Sequence, residues 1–348
     1  MFTRVLLKPL AKTTATILRL GELVVAEKFD EVRSTHISTK RKDEIGLLTE
    51  VFSSFIKKLI QFNEDMQKSA KKEIENKRLE NIELQAKVLE KEIEATQVVQ
   101  TSLLPEEIMT DKTNIVAYYK SANQARGDWY GYHYDTDGEK VYLYIGDVTG
   151  HGVPSSLITG VAFGAIFSIQ RMFEKMRGTS TDTTIDEFII NMAQIVNEAI
   201  LKAGGKSQRF MTMLFLCLDL KTGEVIYVNA GHNPIYLVQH IDKSVKIIPN
   251  PGNRLGYIDK LDVKIRKFTI SPNDCVFLYT DGLIENTGPD TEKDIITSKN
   301  LKKLLEQDLN LLQMKERLIK EMQRVWKDQP LADDVTFMIF KWLGNTEP

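Results

Sequence analysis

Four acidic clusters, each at the junction between an apolar β-like run and a turn, are the groups best suited to chemistry in this chain. They are Asp128, Asp147, Asp281 and the pair Asp333-Asp334. Carboxylates at the end of a buried strand raise the free energy of the folded state unless positive charge lies between them. Mg²⁺ and Mn²⁺ prefer carboxylate, carbonyl and water oxygens as ligands. The pattern therefore predicts a metal-dependent hydrolase.

The residues around these carboxylates support a shared site. The run that ends in Gly146-Asp147 is followed by Gly150 and Gly152, which let the backbone approach a ligand and adopt positive φ. A single Asp-Gly pair is usually only a turn. Four acidic groups at strand ends are better explained by strands of packed sheets that bring them to one edge.

Size, composition and charge limit the function classes. A chain of 348 residues predicts about two domains. Its net charge of -2 gives no sign of a nucleic-acid or anionic-membrane partner. Cys217 and Cys275 lie in apolar runs, so we expect buried thiols in a reducing compartment and no disulfide. No signal peptide or apolar run of 18 residues is evident, so we expect membrane contact only through a segment not present in this sequence.

The first third of the chain has the periodicity of paired helices. Apolar or small residues recur in steps of three and four over 5–24, 45–66 and 79–103. This spacing predicts helices that pair with other helices, and the first of them should fray at Gly21. For 67–103 the alternative is a solvated helix with one apolar face, but eight consecutive matches favour a coiled coil. Pro105 ends the last helix.

Two short heptad helices joined by a polar connector at 26–42, with Pro9 early and Asp43-Glu44-Ile45-Gly46 at the second helix, resemble a HAMP domain. The resemblance implies a parallel four-helix homodimer that usually follows a transmembrane helix. We therefore expect a HAMP domain at 1–62 and a coiled-coil signalling helix at 63–104. The chain would then be the cytoplasmic part of an inner-membrane receptor.

Beyond residue 110 the sequence changes to short β-type runs separated by helical patterns. Helices are predicted at 153–175, 185–203 and 299–327, and Lys221-Thr222-Gly223 predicts a hairpin turn. Meandering strands with helices inserted in blocks favour an α+β layered sandwich over a doubly wound parallel sheet.

Five motifs in this half resemble the PPM-type serine/threonine protein phosphatases of the sporulation-stage-II-E/RsbU branch. In chain order they are Gly-Asp-Trp-Tyr (127–130), Gly-Asp-Val-Thr-Gly-His-Gly (146–152), Asn-Ala-Gly-His-Asn-Pro (229–234), Tyr-Thr-Asp-Gly-Leu-Ile-Glu (279–285) and Ala-Asp-Asp-Val-Thr (332–336). The resemblance implies a phosphatase domain at 105–343 with an αββα sandwich of two packed sheets.

The resemblance also implies a ligand set for two Mn²⁺ or Mg²⁺ ions. Asp147 would bridge both ions, and the Val148 carbonyl would bind the second. Asp281 and Asp333 would hold the first ion, and Asp128 would bind the second ion or its waters. Two such ions activate a water for in-line attack on phosphorus, so no protein nucleophile is needed.

Four further residues are candidates for the site. Asp334 is the alternative to Asp333 as a ligand, and Glu285 falls where the family can place a ligand of a third ion. His151 would donate a proton to the leaving serine oxygen. Arg126 would hold the phosphate by a bidentate contact, the alternative being a solvated surface arginine.

The resemblance implies a serine/threonine phosphoprotein phosphatase controlled through a HAMP and coiled-coil relay. Its substrate would be a phosphorylated anti-sigma-factor antagonist or a similar regulator. The sequence departs from the branch pattern at Arg126, which replaces a glycine, and at Gly131, which replaces a carboxylate. These departures motivate an alternative, a pseudophosphatase that binds a phosphoprotein without turnover.

Overall fold

The computed structural model describes residues 8–26, 28–35, 43–122, 127–150, 152–176, 184–249, 252–290, 293–307, 309–327 and 329–344. It divides into two compact units, Met1–Val88 and Leu89–Pro348. The two units are described separately below.

The first unit is helical. It contains α1 (Lys8–Val25), α2 (Phe29–Ser34) and most of α3 (Glu44–Ser102), a single helix of 59 residues. A small apolar core is formed by Leu20, Val32 and Ile56, one residue from each helix. The Asp43 carboxylate accepts a hydrogen bond from the Gly46 N–H (3.2 Å), which satisfies a free donor at the start of α3.

Two local predictions in this unit need correction. The connector predicted over 26–42 contains the helix α2, because Val32 has a core to join. Fraying was expected at Gly21, but α1 continues to Val25. Residues 1–7 and 36–42, which belong to the predicted HAMP domain, lie outside the described residues.

The second unit contains two antiparallel sheets. One has the strand order β1 (Ile108–Met109), β2 (Thr113–Lys120), β11 (Val335–Trp342), β10 (Cys275–Tyr279), β7 (Ile235–Val238), β8 (Val245–Ile248). The other has the order β3 (Trp129–Tyr134), β4 (Lys140–Val148), β5 (Met211–Asp219), β6 (Glu224–Ala230), β9 (Ile265–Thr269). The helices are α4 (Val153–Met176), α5 (Ile185–Gly204), α6 (Gly282–Glu285), α7 (Ser298–Leu305) and α8 (Leu311–Trp326).

The layers follow from the alternation of side chains along each strand. In β4, Val141, Leu143 and Ile145 lie in the core between the two sheets, whereas Tyr142 and Tyr144 lie in the core beneath α4 and α5. A third core joins the other sheet to α7 and α8. The predicted αββα sandwich of two packed sheets is confirmed.

Several smaller predictions can be compared with these elements. The hairpin turn at Lys221-Thr222-Gly223 is confirmed, with Gly223 at φ +76°. Cys217 and Cys275 are free and buried, as predicted. The helix predicted over 299–327 is instead two helices, because Asn310 and Gln313 form a capping box that starts α8.

The apolar composition of α4 has an explanation within the fold. Among the described residues it is the one helix long and apolar enough to cross a membrane by length and composition. Ile158, Ala162 and Ile166 on one face of α4 are buried in the core over the β3–β9 sheet. Packing on this sheet accounts for the apolar face.

Candidate metal centre

Asp147 stands at the end of β4 and is the electrostatic centre of the acidic cluster. The pKa of Asp147 is raised to about 7 by burial and then by the charges of Asp281 and Asp333. The interaction with Asp128 lowers this pKa and offsets part of the rise. Asp281 follows β10, and Asp333 precedes β11. The ends of three strands therefore bring these carboxylates close enough to repel one another.

Asp128 is buried, with 4% of its surface exposed. Its Oδ2 accepts hydrogen bonds from the hydroxyls of Thr280 (2.8 Å) and Thr336 (2.6 Å), which belong to the opposite sheet. Burial and the nearby Asp147 raise the pKa of Asp128 well above its usual value. Asp128 thus connects the two sheets at the edge where the other carboxylates gather.

The neighbouring Asp333 and Asp334 have different surroundings. Both carboxylate oxygens of Asp334 accept hydrogen bonds from backbone N–H groups, one from Ala122 (2.8 Å) and one from Gly127 (3.0 Å). Asp334 is 4% exposed, whereas Asp333 is half-buried. Asp334 therefore holds the backbone of Ala122 and of Gly127, the residue before Asp128.

Asn286 is a positioning residue that the sequence reasoning missed. Its Oδ1 accepts from the N–H groups of Ala332 (2.7 Å) and Asp333 (3.2 Å), and its Nδ2 donates to the carbonyls of Gly282 (2.7 Å) and Asp333 (2.8 Å). The side chain is 1% exposed. It ties the Asp281 loop to the Asp333 loop.

Two glycines permit close approach at the centre. A Cβ at Gly127 would lie 2.7 Å from the Val148 carbonyl oxygen and 3.0 Å from Asp147 Oδ1, so any side chain there would crowd both predicted ligands. A Cβ at Gly282 would lie 1.9 Å from the Asp334 carbonyl oxygen. The Gly-Asp and Asp-Gly motifs therefore reflect the space that the cluster needs.

The loop after Asp147 is held by Arg209, another residue that sequence reasoning missed. The Arg209 guanidinium donates to the Thr149 carbonyl (2.6 Å) and occupies the space where a Cβ of Gly150 would be. Gly150 and Gly152 have φ of +76° and +89°, which favours glycine at both positions. His151 lies outside the described residues, as does Arg126.

The departure at Gly131 lies away from the carboxylates. A Cβ at Gly131 would lie 2.6 Å from the Trp129 ring, which belongs to the core beneath the helices. Asp128 instead bonds to Thr280 and Thr336 of the opposite sheet. A longer side chain at 131 would displace the indole of Trp129.

The donor chemistry fits a hard divalent cation. As the side chains stand, no group of three or more His, Cys, Asp or Glu within the described ranges is gathered tightly enough to hold an ion. The fit rests instead on oxygen donors that are buried together, since neighbouring carboxylates raise the pKa of both Asp147 and Asp128. A divalent ion at this edge would remove that repulsion.

Comparison with known proteins agrees with this fold. The family model for stage II sporulation protein E (SpoIIE) matches residues 137–343. The chain belongs to the SpoIIE family. The match covers β4 to β11 and includes Asp147, Asp281 and Asp333, and the family predicted from the five motifs is confirmed.

Individual relatives of this SpoIIE-family chain are distant. It is 24% identical over 251 residues to the phosphoserine phosphatase RsbP of Bacillus subtilis (strain 168), covering 72% of this chain and 57% of RsbP. It is 24% identical over 256 residues to the phosphoserine phosphatase RsbU of the same organism, covering 73% of this chain and 70% of RsbU. The SiaA-PP2C domain of Pseudomonas aeruginosa superimposes with a TM-score of 0.60 at 16% identity, covering 74% and 98% of the two chains. This likeness shows the PP2C fold.

Proposed function

We propose that this SpoIIE-family chain is a metal-dependent serine/threonine protein phosphatase. The observation that carries the proposal is the buried carboxylate cluster at one edge of the sandwich, in which burial and neighbouring carboxylates raise the pKa of Asp147 to about 7. Keeping like charges together costs free energy that a cation would offset. RsbP and RsbU, the relatives described above, are named phosphoserine phosphatases.

The acidic residues of the cluster would serve as metal ligands. Asp147, Asp281 and Asp333, with the Val148 carbonyl, would hold two Mn²⁺ or Mg²⁺ ions. Such ions, when bound, supply activation of water and neutralisation of phosphoryl oxygens. Asp128, held by the hydroxyls of Thr280 and Thr336, would bind the second ion or its waters.

Other residues keep supporting or additional roles. Asp334 and Asn286 would hold the loops that carry the ligands, because their polar atoms already bond to backbone groups. Glu285 is exposed, and the pKa of Asp281 is raised by burial and then by the charge of Glu285, which supports a role for Glu285 at a third ion. His151 as proton donor and Arg126 as phosphate contact are also part of the proposal.

We further propose that the substrate is a phosphorylated regulatory protein such as an anti-sigma-factor antagonist. The activity would respond to a signal relayed through a HAMP domain and coiled coil of a homodimer. The apolar positions Leu79, Ile82 and Leu89 of α3 are exposed in a single chain, which supports pairing with a second copy. In this proposal the chain is the cytoplasmic part of an inner-membrane receptor.

The relay depends on a change of heptad phase at 67–78. The pattern that ends at Met66 resumes at Leu79 one residue out of phase, which is about 100° of helix rotation. Insertions of seven residues here should leave basal activity nearly unchanged, and insertions of three or four should lock it high or low. A steady decline with insert length, whatever the phase, would mean that the segment is only a tether.

The activity is tested with p-nitrophenyl phosphate and with candidate phosphoproteins in Mn²⁺ and in chelator. We expect turnover with Mn²⁺, loss with chelator and recovery when Mn²⁺ is restored. Phosphoprotein binding without turnover would instead support the pseudophosphatase alternative.

A further inference from the structure

An arginine supported by two aromatic rings directly precedes Leu255, which pairs with Met211 at the start of β5. The Arg254 guanidinium carbon is 4.9 Å from the centroid of the Phe210 ring and 5.0 Å from that of Tyr257. The two rings meet edge to face with centroids 5.4 Å apart. Arg254 is exposed, and the Tyr257 ring is 54% exposed. We call these three residues the Arg254 platform.

Backbone hydrogen bonds connect the segment of the Arg254 platform, through β5, to the loop that follows Asp147. Leu255 exchanges two hydrogen bonds with Met211 (3.0 and 2.8 Å), and Met211 pairs with Val148 in the β4–β5 ladder. The Phe210 carbonyl accepts from the Thr149 N–H (2.8 Å). Two strand spacings of about 4.8 Å therefore separate the backbone around Leu255 from that of Val148, a distance of ~10 Å.

This distance suits a group next to the phosphoserine better than the phosphate itself. In the proposed function the phosphoryl group would lie at the carboxylate cluster, because Asp147, Asp281 and Asp333 would hold there the ions that neutralise its oxygens. An extended peptide rises about 3.3 Å per residue, so ~10 Å corresponds to about three residues. The Arg254 platform is therefore within reach of a side chain two to four residues from the phosphoserine.

The chemistry of the Arg254 platform indicates an acidic side chain. Arg254 makes no ion pair with any residue in the described part of the chain, and its contacts there are the two ring faces. Stacking on aromatic rings restrains a guanidinium while leaving its N–H edge available for a carboxylate. A restrained arginine loses less side-chain entropy when it forms a bidentate contact.

We propose that Phe210, Arg254 and Tyr257 form a docking surface for an acidic side chain of the substrate protein, two to four residues from its phosphoserine. This proposal rests on the phosphatase function proposed above. It assigns Arg254 to substrate selection and gives it no part in the hydrolysis of the phosphate ester.

The test compares two phosphoserine peptides of equal length. One carries Asp at positions two to four on both sides of the phosphoserine, and the other carries Asn there. Arg254→Gln should raise the KM for the acidic peptide about tenfold and leave kcat unchanged, because binding loses a charge-assisted contact. The KM for the Asn peptide and the hydrolysis of p-nitrophenyl phosphate should stay as in wild type. Arg254→Lys keeps the positive charge but loses the bidentate geometry, so its KM for the acidic peptide should lie between those of wild type and Arg254→Gln.

Arg266→Gln, an exposed arginine on β9, is the matched control and should behave as wild type with both peptides. Equal changes in KM for the two peptides, or no change for either, would overturn the proposal. If the wild type hydrolyses no p-nitrophenyl phosphate, the phosphatase function fails, and calorimetric binding of the same peptides decides the docking surface separately. Preference for the acidic peptide that Arg254→Gln does not reduce would also overturn it.

Discussion

The helix α3 and the β-sandwich treat apolar residues in opposite ways. The sandwich buries its large apolar residues in three cores on the faces of its own two sheets. The middle of α3 leaves its apolar residues exposed: Phe62, Met66, Ile74, Leu79, Ile82, Leu84, Val88, Leu89. Covering one such side chain contributes about 1.5–3 kcal/mol. The sandwich therefore covers most of its apolar surface within a single chain, whereas pairing with a second copy would stabilise the middle of α3.

The polar contacts of the sandwich and of α3 also differ, in the sequence distance between the partners. In the sandwich, buried carboxylates such as Asp128 and Asp334 are fixed by hydrogen bonds from residues distant in sequence. Along α3, polar contacts are local, as in the Lys77–Glu73 ion pair one turn apart (2.8 Å). The hydrogen bonds that fix the carboxylates of the site are thus all made within the sandwich.

The largest expected effect is at the cluster itself. Asp147→Asn should lower turnover of p-nitrophenyl phosphate at least a thousandfold, because it removes the charge shared between the ions. Circular dichroism should show that the variant is folded, since loss of one buried charge relieves repulsion. Asp111→Asn, an exposed carboxylate of the same domain, should match the wild type. Undiminished turnover of Asp147→Asn would remove the assignment of this residue.

Next in size is the effect on self-association. A chain that begins at Leu89 should sediment as a folded monomer, or self-associate at least a hundredfold more weakly than the full chain. The reason is that the exposed apolar side chains of α3 before this point are lost. A full-length chain that stays monomeric at micromolar concentration would contradict the proposed dimer.

A smaller effect on activity is expected at Asn286, which connects the Asp281 loop to the Asp333 loop. Asn286→Ala removes four hydrogen bonds and should lower kcat roughly 10- to 100-fold, because loops displaced by about 1 Å misplace the ligands. The variant should also need more Mn²⁺ for half-maximal activity. Asn300→Ala, an exposed asparagine on α7, is the control. If metal requirement and kcat both stay unchanged, Asn286 does not position the site.

The smallest expected effect is a dependence of stability on pH. Burial lowers the pKa of His232 to about 4 from its ordinary value of 6.5, and its Nδ1 lies 2.9 Å from the Thr212 hydroxyl. As pH falls from about 6.5 to 4, the unfolded chain binds a proton at this position that the folded chain does not bind. This contribution to stability is present above pH 6.5 and is lost as pH falls towards 4.

His232→Gln should therefore flatten the fall in the free energy of unfolding below pH 6.5, measured by urea denaturation. At pH 8 the two proteins should differ only by the contacts of the side chain. If acid destabilises both proteins equally, other groups are responsible for the effect.

The strand ends were predictable because each acidic group adjoins a run with β character. Asp147 is the second-last residue of β4, and Asp281 lies two residues after β10, so both are at strand ends as expected. The break between α7 and α8 could also have been predicted from the sequence, because Asn310 and Gln313 have the spacing of a capping box. Overlooking this pair joined two helices into one.

The supporting residues were harder to predict, because their partners are set by strand register and by packing between sheets. Arg209 reaches the Thr149 carbonyl only because Val148 pairs with Met211. The hydrogen bonds of Thr280 and Thr336 to Asp128 need both sheets in place. A predicted pairing of β4 with β5 would have placed Arg209 near Thr149. No pattern in the neighbouring sequence predicts the role of Asn286.

The end of α3 has a consequence for recombination between related proteins. Trp129 and Tyr132 on β3 donate to the carbonyls of Leu103 (3.3 Å) and Glu106 (2.8 Å), so the residues just after the helix are bonded to the strand that follows Asp128. A chimera that exchanges the N-terminal half is thus expected to keep these bonds only if its junction precedes Leu103. A junction inside 103–106 would join two sequences that were never selected to fit the same strand.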